Sequence, residues 1–163
     1  MRRWLLGPFA VMVIVGALLA APASAGETPI GALGDTLRVQ TGDFTADVTV
    51  DSVLPSDIPP GWGYSPRWPR SQVTRAQVTV TVVDAPTPYF LSSRLSLRGV
   101  SQTGDQYVPR STDAPDALQY ALLNAPQGAT VSGGVWWDSY RDLVANVLLI
   151  DAKTGFKLAQ WNI

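Results

Sequence analysis

From Phe44 to Asp51 apolar and polar side chains alternate without interruption, with Phe44, Ala46, Val48 and Val50 set against Thr45, Asp47, Thr49 and Asp51. Successive side chains of an extended chain point to opposite faces, so this period of two gives a strand with one apolar and one wet face. The same parity recurs in Ala76, Val78, Val80 and Val82 against Arg75, Gln77, Thr79 and Thr81. It recurs again in Leu91, Leu95 and Leu97 against Ser92, Arg94, Ser96 and Arg98. Val131, Gly133, Val135 and Trp137 share a further inward face, and the near-continuous apolar run from Val144 to Ile150 suits a central strand. Phe156 and Leu158 open a last strand whose parity slips before Trp161 and Ile163, which predicts a bulge near Ala159 and Gln160.

Turn chemistry separates these strands. Thr41-Gly42-Asp43, Thr103-Gly104-Asp105 and Asp151-Ala152-Lys153-Thr154-Gly155 each supply a glycine where a positive φ costs little, so the flanking strands should run antiparallel. One short helix is expected around Pro115 to Leu123, capped by Asp113 and facing Leu118 and Leu122 inward. Short strands with regular turn signals in a chain of this size indicate an all-β fold, an immunoglobulin-like antiparallel β-sandwich of about seven to nine strands.

The N-terminus reads as an export leader. Arg2 and Arg3 precede an apolar run from Trp4 to Ala21, and Ala23-Ser24-Ala25 supplies the A-x-A pattern of a signal-peptidase site. Residues 1–25 are thus expected to be removed, with 26–35 a short N-terminal segment and 36–163 the sandwich domain. The paired arginines also loosely match a twin-arginine signal. Cleavage would leave 10 basic against 13 acidic residues, a net charge of −3, which disfavours nucleic acid and anionic lipid as partners. No stable membrane insertion is expected after cleavage, and the expected location is secreted, extracellular or in the cell envelope. The chain has no cysteine and no histidine. Disulfides, thiolate metal sites and a lipidated cysteine are therefore excluded, and the usual proton shuttle is missing.

The segment from Pro55 to Arg70 breaks the strand rhythm, because Pro55, Pro59, Pro60, Pro66 and Pro69 cannot donate to a ladder. It carries Trp62, Tyr64 and Trp68 beside Arg67 and Arg70, the residue types that dominate binding hot spots. The same rings would equally serve as a lid over an open end of the sandwich. Trp137 shares the parity of the core, Trp136 points the other way as a further binding candidate or an edge cover, and Trp161 should tether the final strand.

Pro126-Gln127-Gly128, followed after four residues by Gly133 and then by Val135-Trp136-Trp137-Asp138, resembles the pattern of a family of small secreted mycobacterial immunogenic proteins. Pro29-Ile30-Gly31, Leu33-Gly34, Ile58-Pro59, Gly61-Trp62 and Thr79-Val80-Thr81-Val82 extend the resemblance over most of the chain. It implies an immunoglobulin-like β-sandwich, secretion into the medium or envelope and no established biochemical activity. The chain also looks like a wider group of telokin-like bacterial secreted domains. Two departures stand out: the loop from Gly61 to Gln72 is longer and richer in arginine and tryptophan than the family's, and Gly134 replaces a side chain. The second predicts a strand that starts late or bends there.

Carboxylates for hydrolysis of a glycan are available as Asp113 with Asp116 and as Asp138 with Asp142. Each pair has a plainer use, as cap and first-turn acid or as flanks of a turn beside Arg141. Ser92, Ser93 and Ser132 lack a histidine base, the spaced loop of a hand-type calcium site is absent, and Gly31, Gly34 and Gly42 form no phosphate cradle. No catalytic residue, cofactor or metal is assigned. The expectation is a secreted, non-enzymatic interaction module that meets an unknown protein or glycan through residues 58–72, with Trp62, Tyr64, Arg67, Trp68, Arg70 and Trp136 as binding candidates. The alternatives are an aspartate-dependent hydrolase of envelope glycans and a passive envelope immunogen with no specific ligand.

Overall fold

The computed structural model describes residues 27–63 and 72–163. The leader therefore lies outside the described residues, together with its Arg2-Arg3 start and its Ala23-Ser24-Ala25 site. Among the described residues nine strands fall into two sheets: β1 (Ile30–Ala32), β2 (Thr36–Gln40), β3 (Thr45–Pro55), β4 (Gln72–Asp84), β5 (Leu95–Ser101), β6 (Gln106–Tyr107), β7 (Thr130–Ser139), β8 (Val144–Asp151) and β9 (Lys157–Asn162). The first sheet has the order β1-β9-β8-β5-β6 and the second β2-β3-β4-β7. Helices α1 (Phe90–Arg94) and α2 (Leu118–Leu123) sit on the connections.

The expected sandwich is present, and parity builds its core. Phe44, Ala46, Val48 and Val50 are buried, as are Ala76, Val78, Val80 and Val82, and they meet Leu97, Val147, Leu149, Ala159 and Trp161 of the opposing sheet. Each fully buried Val or Leu contributes about 1.5–3 kcal/mol. Trp137 is fully enclosed, and its indole N–H donates to the Leu97 carbonyl at 2.9 Å, so one side chain joins the two layers. Trp161 is equally enclosed and donates to the Asp35 carbonyl at 2.9 Å, tying the last strand to the start of β2. The run from Val144 to Ile150 does become a central strand, flanked by β9 and β5.

The structure departs from the sequence reading at several places. One strand pair is parallel: β1 lies beside β9 before the chain crosses at Gly34 and Asp35 into β2 of the other sheet. Residues 90–94, expected as the start of a strand, form α1. Pro86 and Pro88 deny the preceding chain a ladder, Phe90 N–H turns back onto the Thr87 carbonyl, and the hydroxyls of Ser92 and Ser93 donate to the carbonyls of Tyr89 and Phe90. Leu91 and Arg94 thereby share one buried helical face instead of alternating.

Arg94, read from parity as a solvated side chain, is buried. Its Nε and Nη2 donate to the two oxygens of Asp151 at 2.8 and 2.7 Å, and its Nη1 donates to Asp43 at 2.8 Å. The rings of Phe44 and Phe90 lie 5.5 and 5.0 Å from the guanidinium carbon. The hydrogen bonds from Arg94 hold the Asp151 carboxyl far below the usual carboxylate range and lower that of Asp43.

The helix expected from Pro115 starts at Leu118 with Ala117 as its N-cap and no side-chain cap, so Asp113 does not cap it. The Asp113 backbone N–H is instead engaged by the Pro60 carbonyl at 2.8 Å. Leu118 and Leu122 do face inward. The final bulge falls at Leu158, because Leu149 pairs with Ala159 and Ile150 with Lys157. Phe156 stays outside the strand and exposed. Gly104 and Gly155 take the positive φ expected of them, whereas Gly42 does not. In that hairpin the Thr41 hydroxyl accepts the N–H groups of Asp43 and Phe44 and shapes the turn instead.

Candidate functional site at the base of the 56–73 loop

β3 and β4 are joined by the proline-rich loop. Its base is closed where the Ser56 N–H donates to the Val73 carbonyl at 2.8 Å. The described part then runs outward along the outer face of the second sheet. The Pro60 carbonyl accepts the Asp113 N–H, and Gly61 adopts φ +75° so closely against Asp113 that a Cβ would stand 2.5 Å from the carboxyl carbon. Only glycine meets both demands.

This turn drives Trp62 inward. It is 4% exposed and forms a second apolar cluster with Val73, Ala114, Ala117 and Trp136. Trp136 faces away from the main core, as parity required, yet it is 5% exposed because the loop and the 109–117 segment cover it. Its indole N–H reaches the Ser56 hydroxyl at 3.3 Å.

Two arginines flank the cluster. The Arg75 guanidinium lies 5.1 Å from the Trp136 ring and donates to Asp116 and Gln77 at 2.7 and 2.8 Å. Arg110 lies 4.8 Å from the Trp62 ring, and its backbone N–H donates to the Trp136 carbonyl at 3.0 Å. Such stacked cations add attraction through the ring quadrupole and leave the guanidinium edges for hydrogen bonds.

Gly133 and Gly134 make the arrangement sterically feasible. β7 neither starts late nor breaks at Gly134, since its register with β4 runs unbroken from Thr130 to Ser139. A Cβ on Gly133 would strike the Leu118 backbone at 2.5 Å, and one on Gly134 would strike the Trp136 ring. One glycine admits α2 and the other admits the indole.

Of the residues singled out from sequence, the fold thus brings Trp62 and Trp136 together as the buried floor of the loop. Tyr64, Arg67, Trp68 and Arg70 lie outside the described residues. Among the aspartates, Asp113 is exposed, Asp116 is held by Arg75, Asp138 is half-buried with its Oδ1 unpaired among the described residues, and Asp142 caps its own turn by accepting the Leu143 N–H at 2.8 Å. Arg75, Arg110, Ala114 and Ala117 were not recognised as members of this cluster. Only the outward parity of Arg75 and Trp136 on paired strands hinted at it.

No protein-family model matches the chain, and no curated protein matches it. Among solved structures, the secreted protein MPT63 of Mycobacterium tuberculosis superposes with a TM-score of 0.65 at 21% identity, covering 86% of this chain and all of that one. A putative lipoprotein of Staphylococcus aureus gives 0.48 at 8% identity, over 79% of this chain and 92% of its own. An uncharacterized β-sandwich protein of Clostridium difficile gives 0.41 at 10%, over 88% and 99%. The likeness to MPT63 is one of fold, the β-sandwich implied by the motif resemblance. No described helix is long and apolar enough to cross a membrane.

Proposed function

We propose that the protein is a secreted, non-enzymatic interaction module that meets a protein or glycan partner outside the cell or in its envelope through residues 58–72. One observation carries this reading. Trp62 and Trp136, with Arg110 and Arg75 stacked on them, form a packed floor beneath a loop whose two ends are joined by a backbone hydrogen bond. The aromatic and arginine residues that follow Trp62 therefore leave from and return to a fixed base, which limits the ordering entropy lost on binding. Tyr64, Arg67, Trp68 and Arg70 are the contact residues in this reading, and Trp62 and Trp136 pack at the base of the loop.

The test is retention of the protein on immobilised envelope extract and on purified envelope polysaccharide, comparing wild type with a Tyr64→Ala, Arg67→Ala, Trp68→Ala, Arg70→Ala combination. Retention should fall at least tenfold while the melting temperature stays within about 2 °C. Unchanged retention, or a melting temperature lowered as far as Trp62→Ala lowers it, overturns the assignment.

A further inference from the structure

The two outer faces of the sandwich differ in charge. On the second sheet Asp47 and Asp51 stand outward, the first held by Arg38 and the second by the Thr79 hydroxyl. In the strands of the first sheet Asp151 is the one acidic residue, and it is buried against Arg94. Alternation with the buried Leu97, Leu149 and Trp161 sends Arg98, Leu148 and Gln160 outward in a single row, which β1 extends with Ile30. Lys157 stands in the next row, opposite Ile150. Strand spacing of about 4.8 Å and a rise of about 3.4 Å per residue put the Cα atoms of Arg98 and Lys157 about 12 Å apart. Neither side chain makes an ion pair among the described residues, and the buried Arg98 Nε has no acceptor there.

Hydrogen bonds bias the face further. Arg98 Nη1 donates to Gln106 Oε1 at 3.0 Å, Lys157 Nζ to Gln160 Oε1 at 3.3 Å, and Gln160 Nε2 to Asn162 Oδ1 at 2.8 Å. Each of these three amides has its oxygen occupied and keeps N–H hydrogens to give. Two cations without carboxylates and three amides left as donors call for a ligand that is anionic and rich in acceptors. The aliphatic Leu148 and the exposed Ile30, set between and beside the polar groups, suit the C–H faces of sugar rings. No aromatic ring stands on this face, because Tyr107 and Trp161 are buried, so nucleic-acid bases have nothing to stack on.

We propose that the outer face of the first sheet binds an acidic polysaccharide, a glycan chain bearing carboxylate or phosphate groups, with one anionic group at Arg98 and another at Lys157. The site lies across the sandwich from the loop base and does not depend on the contact proposed above.

Polygalacturonate and poly(ribitol phosphate) are the probes, with methyl-esterified polygalacturonate as the neutral counterpart and phosphatidylglycerol vesicles as an anionic surface without sugar. They are titrated into isotope-labelled protein purified from an exporting host and followed by NMR. At least one acidic polymer should shift the side-chain amide signals of Gln106, Gln160 and Asn162 saturably, and the responding polymer distinguishes carboxylate from phosphate. Arg98→Gln and Lys157→Gln should each weaken binding about tenfold, the scale of one charge-assisted hydrogen bond, and the methyl ester should bind more weakly than its acid by at least that factor. Lys157 is exposed, so its variant tests binding without disturbing the core. The Tyr64→Ala, Arg67→Ala, Trp68→Ala, Arg70→Ala combination should leave these shifts unchanged, which separates this site from the loop. Absence of saturable shifts with both acidic polymers, equal binding of the methyl ester, undiminished binding by either single variant, loss of the shifts in the loop combination, or tighter binding to the vesicles would each overturn the proposal.

Discussion

Replacing Asp151 with Asn tests how far the far end of the sandwich depends on one buried charge. Asp151 is 2% exposed and accepts four hydrogen bonds, two from Arg94 at 2.8 and 2.7 Å, one from the Lys153 N–H at 3.0 Å and one from the Thr154 hydroxyl at 2.9 Å. Removing one partner of a buried pair typically costs about 3–5 kcal/mol, because the other charge is left desolvated. Here Asp43 still holds Arg94 from a half-exposed position, which places the expected loss at the lower end, about 3 kcal/mol. With a urea dependence of about 2 kcal/mol/M, the unfolding midpoint read by tryptophan fluorescence should fall by about 1.5 M at pH 7. The pH dependence has a definite sign. The Asp151 carboxyl is held well below its unfolded value near 3.9, so the unfolded chain takes up the proton first. The stabilisation is complete above about pH 5 and shrinks as the pH falls through the unfolded value toward the folded one, so the gap between wild type and Asp151→Asn should narrow on acidification. The combined change Arg94→Met, Asp151→Leu should be milder than Asp151→Asn alone, since it leaves no buried charge unpaired and only the half-exposed Asp43 loses its partner. A midpoint shift below about 0.5 M at pH 7, or a gap that does not narrow in acid, would refute the reasoning.

Three further outcomes follow from the packing around the loop base. Gly133→Ala should destabilise by about 1–3 kcal/mol, because its Cβ meets the Leu118 backbone and not a movable side chain; urea unfolding measures the loss, and hydrogen exchange at the Gly134 N–H should quicken. Gly134→Ala meets the ring of the buried Trp136 and the Nε of Arg75 stacked on it, so it should also destabilise by about 1–3 kcal/mol, accompanied by a shift of the Trp136 indole resonance. Trp62→Ala should cost about 3 kcal/mol through the cavity it leaves in the second cluster, seen by calorimetry, with faster proteolytic cleavage between residues 56 and 73.

Parity made the sandwich legible because a period of two is a local property and needs no knowledge of partners. Val48, Val80 and Trp137 are all buried where alternation placed them. Alternation misled at Leu91 and Arg94, where i and i+3 spacing also places two residues on one helical face, and where the proline pair upstream decided between the two. The burial of Arg94 was illegible for another reason: its partners Asp43 and Asp151 lie 51 and 57 residues away, and nothing local marks them. Trp62 and Trp136 were legible as residues of interest, but not as neighbours. Their meeting depends on a turn at Gly61 fixed by Asp113, and on helix α2 being held against Gly133 and Gly134.

The distribution of polar groups explains why recognition is assigned to the loop end and not to the broad outer face of the second sheet. That face carries a row of hydroxyls, and they are occupied with one another: Thr36 with Thr49, Thr79 with Ser132 and Thr81 with Thr130, each at 2.8 Å. Thr79 also donates to Asp51, and Arg38 grips Asp47 in two-point fashion at 2.7 Å. A partner that covered this face would strip water from groups already paired internally, and would gain few new hydrogen bonds in return. At the loop end the balance differs. Leu54 and Ile58 stand 61% and 48% exposed on the approach to the loop, and Leu143 stands 64% exposed on the turn that follows Ser139, whose hydroxyl is bonded to Thr74 at the loop base. Apolar surface already in water there costs nothing to desolvate and returns free energy when covered. In the proposed reading the outer face of the second sheet stays in water and contact is made at the loop end, through the arginine- and tryptophan-rich residues 58–72.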